Sequence, residues 1–446
     1  MTELTELVGS WMRLQRWYST KSVEPRLRQL ASFEAEQAAD GARIVTHFFA
    51  DDAPRSPRVY QVPVVARQQK DGDATALIGE AGGRYLYDGP ADEAYVSSLL
   101  AMVASGERLT GATVAARGHR IGAPLTLRSS RRLTGEQSNT SIVGELDDGR
   151  LVLIKVFRVV QDGANPDVST LAALTEGGSE RTPALHGWIS ASWPAADGLS
   201  TASGELALVQ NFLTGAEDGW ELAVSAAERG EDFTERAFAL GSGTAELHVQ
   251  LARVLPTKVA TRDDVAQALD GMYQRLTIAS TEVPIIAESR ASIAAVYEVA
   301  AESDQPLLQR IHGDLHLGQV LHSAERGWQF IDFEGEPLRP LAERAIPDAP
   351  LRDVAGMLRS FDYVAGSLAR RDPAVDAAPW AERARQAYLD GYTSVARSVC
   401  AEHAALLDAF ELDKAVYEVT YESRHRPAWL PIPLAAVDRL LAAHVS

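Results

Sequence analysis

The sequence predicts an α+β fold with two lobes, a β-rich lobe followed by a mostly α-helical one, and a smaller subdomain in front of both. The chain has 446 residues, which is too long for one ordinary hydrophobic core, so two or three domains are expected. Strand-like runs separated by Gly- and Asp-containing breaks dominate as far as about residue 213. From residue 214 onward, amphipathic helical stretches prevail.

These patterns divide the chain into a cap subdomain at 1–115, a β-rich N-lobe at 116–213 and an α-helical C-lobe at 214–446. The cap opens with an aromatic-rich amphipathic segment at 11–18. Its other predicted elements are two strands and a helix, at Arg43–Phe49, Arg58–Ala66 and Asp92–Ala104. No catalytic constellation stands out in this subdomain, so we predict a non-catalytic cap.

In the N-lobe, strand-like runs at Arg132–Val143 and Arg150–Val159 flank a Leu-Asp-Asp-Gly hairpin turn that ends at Gly149. A helix at Ser169–Glu176 and a buried strand at Glu205–Leu213 complete the lobe. Helices of the C-lobe are predicted at Glu217–Arg229, Glu235–Val254, Asp263–Ala279, Leu351–Leu368, Trp380–Val399 and Ala404–Ser423.

Composition narrows the functional class. The net charge of −18 disfavours nucleic acid and anionic membrane surfaces as partners. The single cysteine, Cys400, cannot form an internal disulfide, and its helical context predicts a buried thiol. The N-terminus lacks the features of a signal peptide, and no apolar run reaches membrane-spanning length. A cytoplasmic protein is therefore expected.

The segment 310–336 carries the candidate chemistry. It contains His-Gly-Asp-Leu-His-Leu-Gly-Gln, a short polar turn and then Ile-Asp-Phe-Glu-Gly-Glu. Asp314 lies five positions before Gln319, and Asp332 follows an apolar run. Protein kinases use this order for an Asp that orients the attacking hydroxyl, an amide that holds metal, and an Asp that binds Mg²⁺. The spacing predicts phosphoryl transfer from a nucleotide to a hydroxyl, on a bilobal protein-kinase-like fold.

Two other interpretations of this segment stay open. His312, Asp314 and His316 alternate in a pattern that could bind a transition metal directly, as in a metal-dependent hydrolase. That interpretation leaves Gln319 and Asp332 without a role. In the plainer one, Asp332 is a solvated turn residue and His312 is a packed core histidine.

The nucleotide side is predicted in the N-lobe, since the sequence has no P-loop motif. A cluster of small hydroxyl and amide residues can present donors to phosphate oxygens, although such a cluster alone is usually a turn. Its members are Ser138, Asn139, Thr140 and Ser141. Lys155 lies within an apolar strand-like run, where an inward-facing lysine requires an anion such as phosphate. Gln210 and Phe212 are assigned by position alone to a hinge that meets the adenine.

Near the C-terminus, aromatic and charged residues combine in a way that suits a carbohydrate. On a helix, Asp413, Tyr417 and Tyr421 lie on one face at intervals of four residues. The neighbouring stripe consists of Lys414, Glu418 and Glu422. Aromatic rings can pack on sugar rings, and carboxylates can accept bonds from neighbouring hydroxyls. A purely structural helix with a surface Lys414–Glu418 pair is the alternative.

Five segments of the chain resemble actinobacterial maltokinases, which share a fold with aminoglycoside phosphotransferases. They are Arg13-Leu-Gln-Arg-Trp-Tyr18; Glu136-Gln-Ser-Asn-Thr-Ser141; Ile154-Lys-Val-Phe-Arg158 with Asn165-Pro-Asp167; His312–Leu321 with Ile331–Pro337; and Leu412–Glu418 with Arg424-His-Arg-Pro427 and Trp429–Leu434. These segments span nearly the whole chain, and the last two are specific.

The resemblance implies ATP-dependent phosphorylation of maltose to maltose 1-phosphate, with Mg²⁺, in the route from trehalose to α-glucan. It also implies that Asp314 is the catalytic base, that Gln319 and Asp332 are metal ligands, and that Lys155 and the 138–141 loop hold phosphates. The sugar-side residues that it suggests are His312, Glu334, Tyr417, Glu418, Tyr421, Arg424 and Trp429.

The chain departs from the expected pattern beside the phosphate lysine. Where an acidic helix residue would pair with Lys155, the chain has Val168-Ser-Thr170, so Asp167 and Glu176 are the open candidates. The metal-binding amide is Gln319, whereas Asn is common in wider kinase-like folds. Because Gln reaches further, the loop that carries it must lie slightly further back.

Three functions stay open. The first is a sugar kinase, with maltose preferred and another saccharide such as glucosamine kept as an alternative. The second is the metal-dependent hydrolase. The third is an inactive scaffold that binds a trehalose- or glycogen-pathway enzyme through the cap. Retention of Asp314, Gln319, Asp332 and Lys155 together argues against the third.

Overall fold

The computed structural model describes residues 2–18, 23–35, 41–53, 57–70, 73–133, 139–303, 305–336, 339–396 and 403–445. The chain forms two compact units. Unit 1 comprises Met1–Ala172 and Pro183–Thr214, and unit 2 comprises Ala173–Thr182 and Gly215–Ser446. The predicted three-part division, with boundaries at residues 115 and 213, stays a prediction.

Unit 1 contains two antiparallel sheets. Its strands are β1 (Leu27–Glu34), β2 (Arg43–Asp51), β3 (Arg58–Arg67), β4 (Leu77–Ala81), β5 (Arg84–Asp88), β6 (Arg108–Thr110), β7 (Ala115–Arg120), β8 (Leu127–Arg132), β9 (Asn139–Leu146), β10 (Leu151–Phe157), β11 (Val159–Val160), β12 (Leu185–Pro194) and β13 (Thr201–Asn211). Its helices are α1 (Thr2–Met12), α2 (Glu93–Ser105) and α3 (Pro166–Glu176), the last of which continues into unit 2.

The first sheet has the order β1-β2-β3-β5-β4, and β11 adds to it by pairing with β3. The second has the order β6-β7-β12-β13-β10-β9-β8. Burial alternates strictly along β12, as expected for a strand with one face on the core. Side chains of both sheets share a hydrophobic core, in which the rings of Phe48 and Trp193 stack with centroids 5.4 Å apart.

A buried ion pair links the two sheets. Arg158 directly follows β10, and Asp88 ends β5; both side chains are fully buried. The guanidinium Nη2 donates to Asp88 Oδ2 at 2.6 Å and its Nε donates to Thr140 at 2.7 Å. It also lies 5.0 Å from the ring centroid of Trp17. Because an unpaired buried charge is costly, this pair fixes the two sheets against each other.

Unit 2 is mostly helical. Its helices are α4 (Gly219–Glu228), α5 (Thr234–Val254), α6 (Arg262–Glu282), α7 (Pro284–Ala301), α8 (Leu341–Arg344), α9 (Leu351–Arg371), α10 (Ala378–Val395), α11 (Ala404–His425) and α12 (Pro431–Val445). Its short strands are β14 (Glu217–Asp218), β15 (Lys258–Val259), β16 (Leu307–Leu308), β17 (Val320–Ser323) and β18 (Gly327–Phe330). Helix α9 forms the centre of the unit, with thirteen buried residues in its 21.

Most predicted elements are confirmed, with boundaries shifted by a few residues. The predicted strand at Arg132–Val143 is wrong in its extent, because that stretch contains the end of β8 and the start of β9. Elements that were not predicted include helices α1, α7, α8 and α12 and strand β12. Helices α7 and α12 begin at a proline, which is tolerated in the first turn of a helix but reads in a sequence as a break.

Cys400 and Ser138 lie outside the described residues, so the predictions for them are not tested. None of the helices in the described ranges has the length and apolar character that crossing a bilayer requires.

Candidate active site

A small hairpin in unit 2 brings the two halves of the predicted catalytic segment together. Strands β17 and β18 pair antiparallel, with Val320 opposite Phe330. The backbone N–H of Ile331 then donates to the Gln319 carbonyl at 3.1 Å. The Gln319 side-chain amide donates to Asp332 Oδ2, also at 3.1 Å. The two predicted metal ligands are therefore neighbours, although they are 13 residues apart in sequence.

The backbone at Asp332 is strained. Its φ is 68°, and among the described residues it is the only non-glycine with positive φ. This left-handed conformation costs free energy for a residue with a Cβ, and such residues concentrate at functional sites. The strain supports a specific role for the Asp332 carboxylate rather than that of a solvated turn residue.

Amide and carboxylate oxygens are the donor types that Mg²⁺ prefers. The Gln319 and Asp332 side chains lie together on a loop held by the β17–β18 hairpin, so the residues present fit such an ion. In contrast, the ligand atoms of His312, Asp314 and His316 do not gather within 4.8 Å of one another. His316 uses its Nδ1 to accept from the N–H of Gly318 at 3.0 Å. The arrangement therefore does not favour a His-Asp-His metal centre.

A buried aspartate of α9 anchors the loop that precedes Asp314. Asp353 accepts from the backbone N–H groups of His312 and Gly313, at 2.7 and 2.9 Å, and from His248 Nε2 at 3.1 Å. Burial opposes ionisation of Asp353. The hydrogen bond from His248 and the nearby imidazoles nevertheless hold the pKa of Asp353 below its ordinary value. Gly313 has φ of 81°, a conformation that favours glycine at this turn.

His312 is almost completely buried, with an exposed fraction of 1%. Its Nε2 donates to the Ile331 carbonyl at 2.9 Å, and its ring lies against Phe333 with centroids 4.9 Å apart. It does not line the cavity described next. These contacts favour the packed-histidine interpretation over the predicted sugar-binding one.

Asp314 lines a cavity of about 330 Å³ in unit 2. Two predicted sugar-side residues, Tyr417 and Arg424, line the same cavity. Its other charged lining residues are Arg275, Glu336, Arg339, Asp348, Arg352, Asp353, Asp413 and Lys414. Tyr417 is half-buried, and burial together with a hydrogen bond to Glu336 raises its pKa. We call this space the acceptor cavity.

The carboxylates of the acceptor cavity all have cationic or N–H partners. The Arg275 guanidinium donates two hydrogen bonds to the Asp413 carboxylate, at 2.8 and 2.6 Å. Arg352 Nε donates to Asp348 at 2.8 Å, and its Nη1 lies 3.6 Å from Asp413. The remaining pairs are Arg339 with Glu336 at 3.4 Å and Lys414 with Asp314 at 3.7 Å, and Asp353 is bound as described above.

The structure does not bring the other predicted sugar residues to this cavity. The Glu418 carboxylate accepts from buried Arg359 at 2.9 and 2.8 Å, which corrects the alternative of a surface pair with Lys414. Burial raises the pKa of Glu418, with Arg359 acting in the opposite direction. The backbone carbonyl of Glu334 accepts from Arg344 at 3.5 Å, and Glu334 does not line the cavity.

Tyr421 and Trp429 lie outside the acceptor cavity as well. The ring of Tyr421 stacks on Tyr417 with centroids 6.4 Å apart, and 37% of its surface is exposed. Trp429 stacks on Tyr363 with centroids 6.3 Å apart, and the Arg370 and Arg426 guanidinium carbons lie 5.0 and 4.9 Å from its ring. Trp429 is half-buried and packs against side chains of neighbouring segments.

In unit 1, Lys155 lies in β10 and forms an ion pair with Asp167, whose Oδ2 is 3.0 Å from the Lys155 Nζ. Both side chains are buried. The pair answers the question that the sequence left open, since Asp167 and not Glu176 is the partner. Asp167 is fixed at the start of α3, where its N–H donates to Asn165 Oδ1 at 2.8 Å. An interior lysine–carboxylate pair of this kind is the one that kinases use beside the phosphates.

The predicted phosphate-binding residues that the structure describes belong to a strand rather than to a turn. Asn139, Thr140 and Ser141 begin β9 and are buried, and Ser141 is paired with Lys155 across the ladder. Thr140 Oγ1 already accepts a hydrogen bond from the Arg158 guanidinium, at 2.7 Å. Ser138 lies outside the described residues. The phosphate-binding role of this segment stays a prediction.

The predicted hinge residues lie at the end of unit 1. Gln210 is buried in β13, opposite Leu153 and Leu185 on either side. Phe212 follows the strand, and its N–H donates to the Leu151 carbonyl at 3.1 Å. Their assignment to adenine binding stays a prediction.

Sequence reasoning missed residues whose role depends on long-range contacts. Asp353 is the clearest case, since it anchors the catalytic loop from a helix 40 residues away. A charged residue among the apolar residues of α9 was its only signal in the sequence. Glu336, Arg275 and Arg352 were also missed; they meet in the acceptor cavity from three separate segments.

Comparison with known proteins gives a consistent result. Residues 11–92 match the maltokinase N-terminal cap domain. The chain is 32% identical to a glucosamine kinase of Streptacidiphilus jiangxiensis over 341 residues, covering 72% of this chain and 74% of the relative. It is 28% identical to a glucosamine kinase of Mycolicibacterium smegmatis over 336 residues, covering 71% and 80%.

Solved structures agree. One crystal form of a glucosamine kinase matches with a TM-score of 0.72 at 25% identity, covering 98% of this chain and 99% of the other. A glucosamine kinase in complex with glucosamine, ADP and inorganic phosphate matches with a TM-score of 0.70 at 24% identity, with the same coverage. These matches confirm the predicted α+β kinase-like fold with an N-terminal cap. With a relative 32% identical over 72% of this chain, and with the match to the maltokinase cap domain, the chain belongs to the maltokinase-like kinase family.

Proposed function

We propose that this protein is an ATP-dependent sugar kinase whose preferred acceptor is maltose, with maltose 1-phosphate as the product. The product would enter the route from trehalose to α-glucan. Family membership supports the phosphotransferase class, and the cap match supports the maltokinase branch. The proposed partnership of the cap with a trehalose-pathway enzyme stays a prediction.

The observation that carries the proposal is the placement of Asp314 on the wall of the acceptor cavity. This carboxylate shares the cavity with Tyr417 and Arg424, which were assigned to the sugar from an independent part of the sequence. A base must lie within hydrogen-bond reach of the hydroxyl it deprotonates. An acceptor bound in this cavity can present a hydroxyl to Asp314 while its ring contacts Tyr417.

The charge pattern of the cavity favours a neutral polyol. Each lining carboxylate already has a cationic or N–H partner, as described above. An incoming ammonium group would compete with those partners, and it would lie close to several guanidinium groups. Hydroxyl groups of a neutral sugar can instead share these charged donors and acceptors without displacing an ion pair.

The roles within the reaction follow from the donor types. Asp314 accepts the proton of the sugar hydroxyl. Gln319 and Asp332 would hold Mg²⁺, which neutralises phosphate charge when bound. Lys155, held by Asp167, binds the phosphates of the nucleotide. Catalysis then consists mainly of positioning and charge neutralisation, as phosphoryl transfer requires.

A coupled ADP-release assay with Mg-ATP across maltose, glucose, glucosamine, trehalose and kanamycin tests the proposal. We expect turnover with maltose at a kcat/KM well above that of the others, and ³¹P NMR of the product should show an anomeric phosphate. Absence of sugar-dependent ADP release with every acceptor would refute the kinase proposal.

Glucosamine is the second candidate acceptor. It is favoured because both sequence relatives are glucosamine kinases and one structural relative is a glucosamine kinase in complex with glucosamine. The same assay distinguishes the two acceptors, because a glucosamine kinase would release ADP with glucosamine and not with maltose.

A further inference from the structure

Lys414 lies on α11 inside the acceptor cavity, one helical turn before Tyr417. Its Nζ lies 3.7 Å from Asp314 Oδ1 and 5.3 Å from the centroid of the Tyr417 ring. The first distance is longer than a hydrogen bond but well within the range of strong charge attraction. The ammonium group therefore attracts the Asp314 carboxylate without forming a hydrogen bond to it.

We infer that Lys414 determines acceptor specificity and positions the base. Its ammonium group holds the Asp314 carboxylate in place, and it disfavours acceptors that carry an ammonium group of their own. This inference rests on the proposed function, since it takes Asp314 as the group that receives the proton of the acceptor hydroxyl.

The surroundings of Lys414 keep it charged. Burial disfavours the ammonium form, but the neighbouring carboxylates outweigh burial and raise the pKa of Lys414. The charged groups that face Lys414 are Asp314, Glu336, Glu418 and Arg339. Asp314 also acts electrostatically on His316, Arg344 and Tyr417. Burial lowers the pKa of His316.

The transfer step explains why a fixed positive charge at this position is useful. The oxygen of the sugar hydroxyl forms a bond to the γ-phosphorus, the bond from that phosphorus to the bridging β–γ oxygen breaks, and ADP leaves with that electron pair. The hydroxyl proton passes to Asp314. An adjacent cation, 3.7 Å away, attracts the carboxylate and keeps it oriented to receive that proton.

The same charge selects among acceptors. A sugar that places a hydroxyl at Asp314 exposes its neighbouring substituents to Lys414 within the same cavity. A neutral hydroxyl there can accept a hydrogen bond from the ammonium group, whereas an amino sugar brings a like charge. Rejection of an amino sugar thus depends on a residue that does not itself carry out the chemistry.

The test compares Lys414→Met, which removes the charge at similar volume, with Lys414→Arg, which keeps it. The matched control is Lys258→Met, because Lys258 forms a lysine–aspartate pair with Asp264 at 2.8 Å and does not line the cavity. Each variant is assayed for kcat/KM with maltose and with glucosamine. Thermal melting of each variant shows that it is folded.

For Lys414→Met we expect the glucosamine-to-maltose ratio of kcat/KM to rise by about tenfold or more, because the like charge that an amino sugar meets is removed. Lys414→Arg should keep this ratio within about threefold of the wild-type value, because the charge is retained. Lys258→Met should match the wild-type protein.

Three results would overturn the inference while leaving a sugar kinase in place. One is a folded Lys414→Met variant with an unchanged glucosamine-to-maltose ratio of kcat/KM. Another is a Lys414→Arg variant as impaired as Lys414→Met, which would show that shape and not charge matters. The third is a wild-type preference for glucosamine over maltose. Absence of any sugar phosphorylation by the wild-type protein would instead refute the proposed function itself.

Discussion

The proposed phosphate side of the protein and the proposed acceptor side use charge in different ways. In unit 1 Lys155 and Asp167 form a buried ion pair 3.0 Å apart. In unit 2 the acceptor cavity contains many charged side chains that share partners, such as Arg352 between Asp348 and Asp413. The first arrangement suits a ligand of fixed charge, and the second suits a polyol with many weak donors and acceptors.

This difference predicts different effects of a single substitution on the two sides. Removing one partner of a buried ion pair lowers the stability strongly, because the charge of the other partner is no longer compensated. In a shared network, neighbouring groups take over part of the lost contact, so effects on binding are smaller. We therefore expect large, stability-linked effects at Lys155 and Asp167 and smaller, acceptor-specific ones in the cavity, with Asp314 as the exception because it takes part in the chemistry.

The largest effect is expected for Asp314→Ala. Loss of the general base should lower kcat by about 10²- to 10⁴-fold, while the Kd for ATP changes little, since Asp314 lies on the acceptor cavity. Steady-state kinetics and isothermal titration with a nonhydrolysable ATP analogue measure the two quantities. Asp332→Ala serves as the contrast and should weaken Mg²⁺-dependent nucleotide binding. Substantial turnover by Asp314→Ala would show that another group is the base.

Next in size is Lys155→Met. We expect kcat/KM for ATP to fall by about 10²-fold, because one preorganised cation is lost. The free energy of unfolding should fall by about 3–5 kcal/mol as well, because the buried Asp167 loses the ammonium group 3.0 Å from its carboxylate.

The double variant Lys155→Met/Asp167→Leu separates the two effects. It should recover most of the stability in denaturant melts and none of the activity. Recovery of both would mean that the pair is structural only and that phosphate is held elsewhere.

Asp353→Asn tests the anchor of the catalytic loop. An amide cannot accept from His312, Gly313 and His248 at once, so we expect a loss of about 1–3 kcal/mol in stability. The folded pKa of Asp353 is below the ordinary value of 3.8. Its contribution to stability is therefore complete above pH 3.8 and is lost as the pH falls through the lower folded value.

The melting temperatures of the wild-type protein and Asp353→Asn should accordingly differ at neutral pH and converge on acidification. Asp270→Asn, at an exposed position of α6, is the control and should follow the wild-type protein throughout. A constant difference down to the lowest pH would show that ionised Asp353 is not the source of the stabilisation.

The contrast between the two sides also explains what the sequence could predict. Lys155 was recognisable because a lysine inside an apolar strand is unusual, and Asp314, Gln319 and Asp332 because their spacing is local. The Asp167 partner and the anchor Asp353 depend on contacts across 12 and 40 residues, which spacing alone does not fix. On α11 the helical period correctly placed Tyr417 and Tyr421 together, yet it could not tell that Glu418 faces Arg359 in the core.

The smallest effects concern two aromatic residues that the sequence placed together on the sugar side. Tyr417 lines the acceptor cavity, whereas Trp429 packs on Tyr363 outside it. We expect Tyr417→Ala to raise the KM for the sugar by about tenfold, equivalent to about 1.4 kcal/mol, with the KM for ATP unchanged. Trp429→Ala should change the sugar KM by less than about twofold, because its contribution is to packing.

Tyr417→Phe refines this last comparison, since it keeps the ring and removes the hydroxyl that bonds Glu336. A sugar KM close to that of the wild-type protein would assign the contact to the ring, and one close to that of Tyr417→Ala would assign it to the hydroxyl. The reverse pattern, with Trp429→Ala raising the sugar KM and Tyr417→Ala leaving it unchanged, would move the acceptor from the cavity beside Asp314 towards α12. The base could then no longer be Asp314, because the hydroxyl to be phosphorylated must lie within its reach.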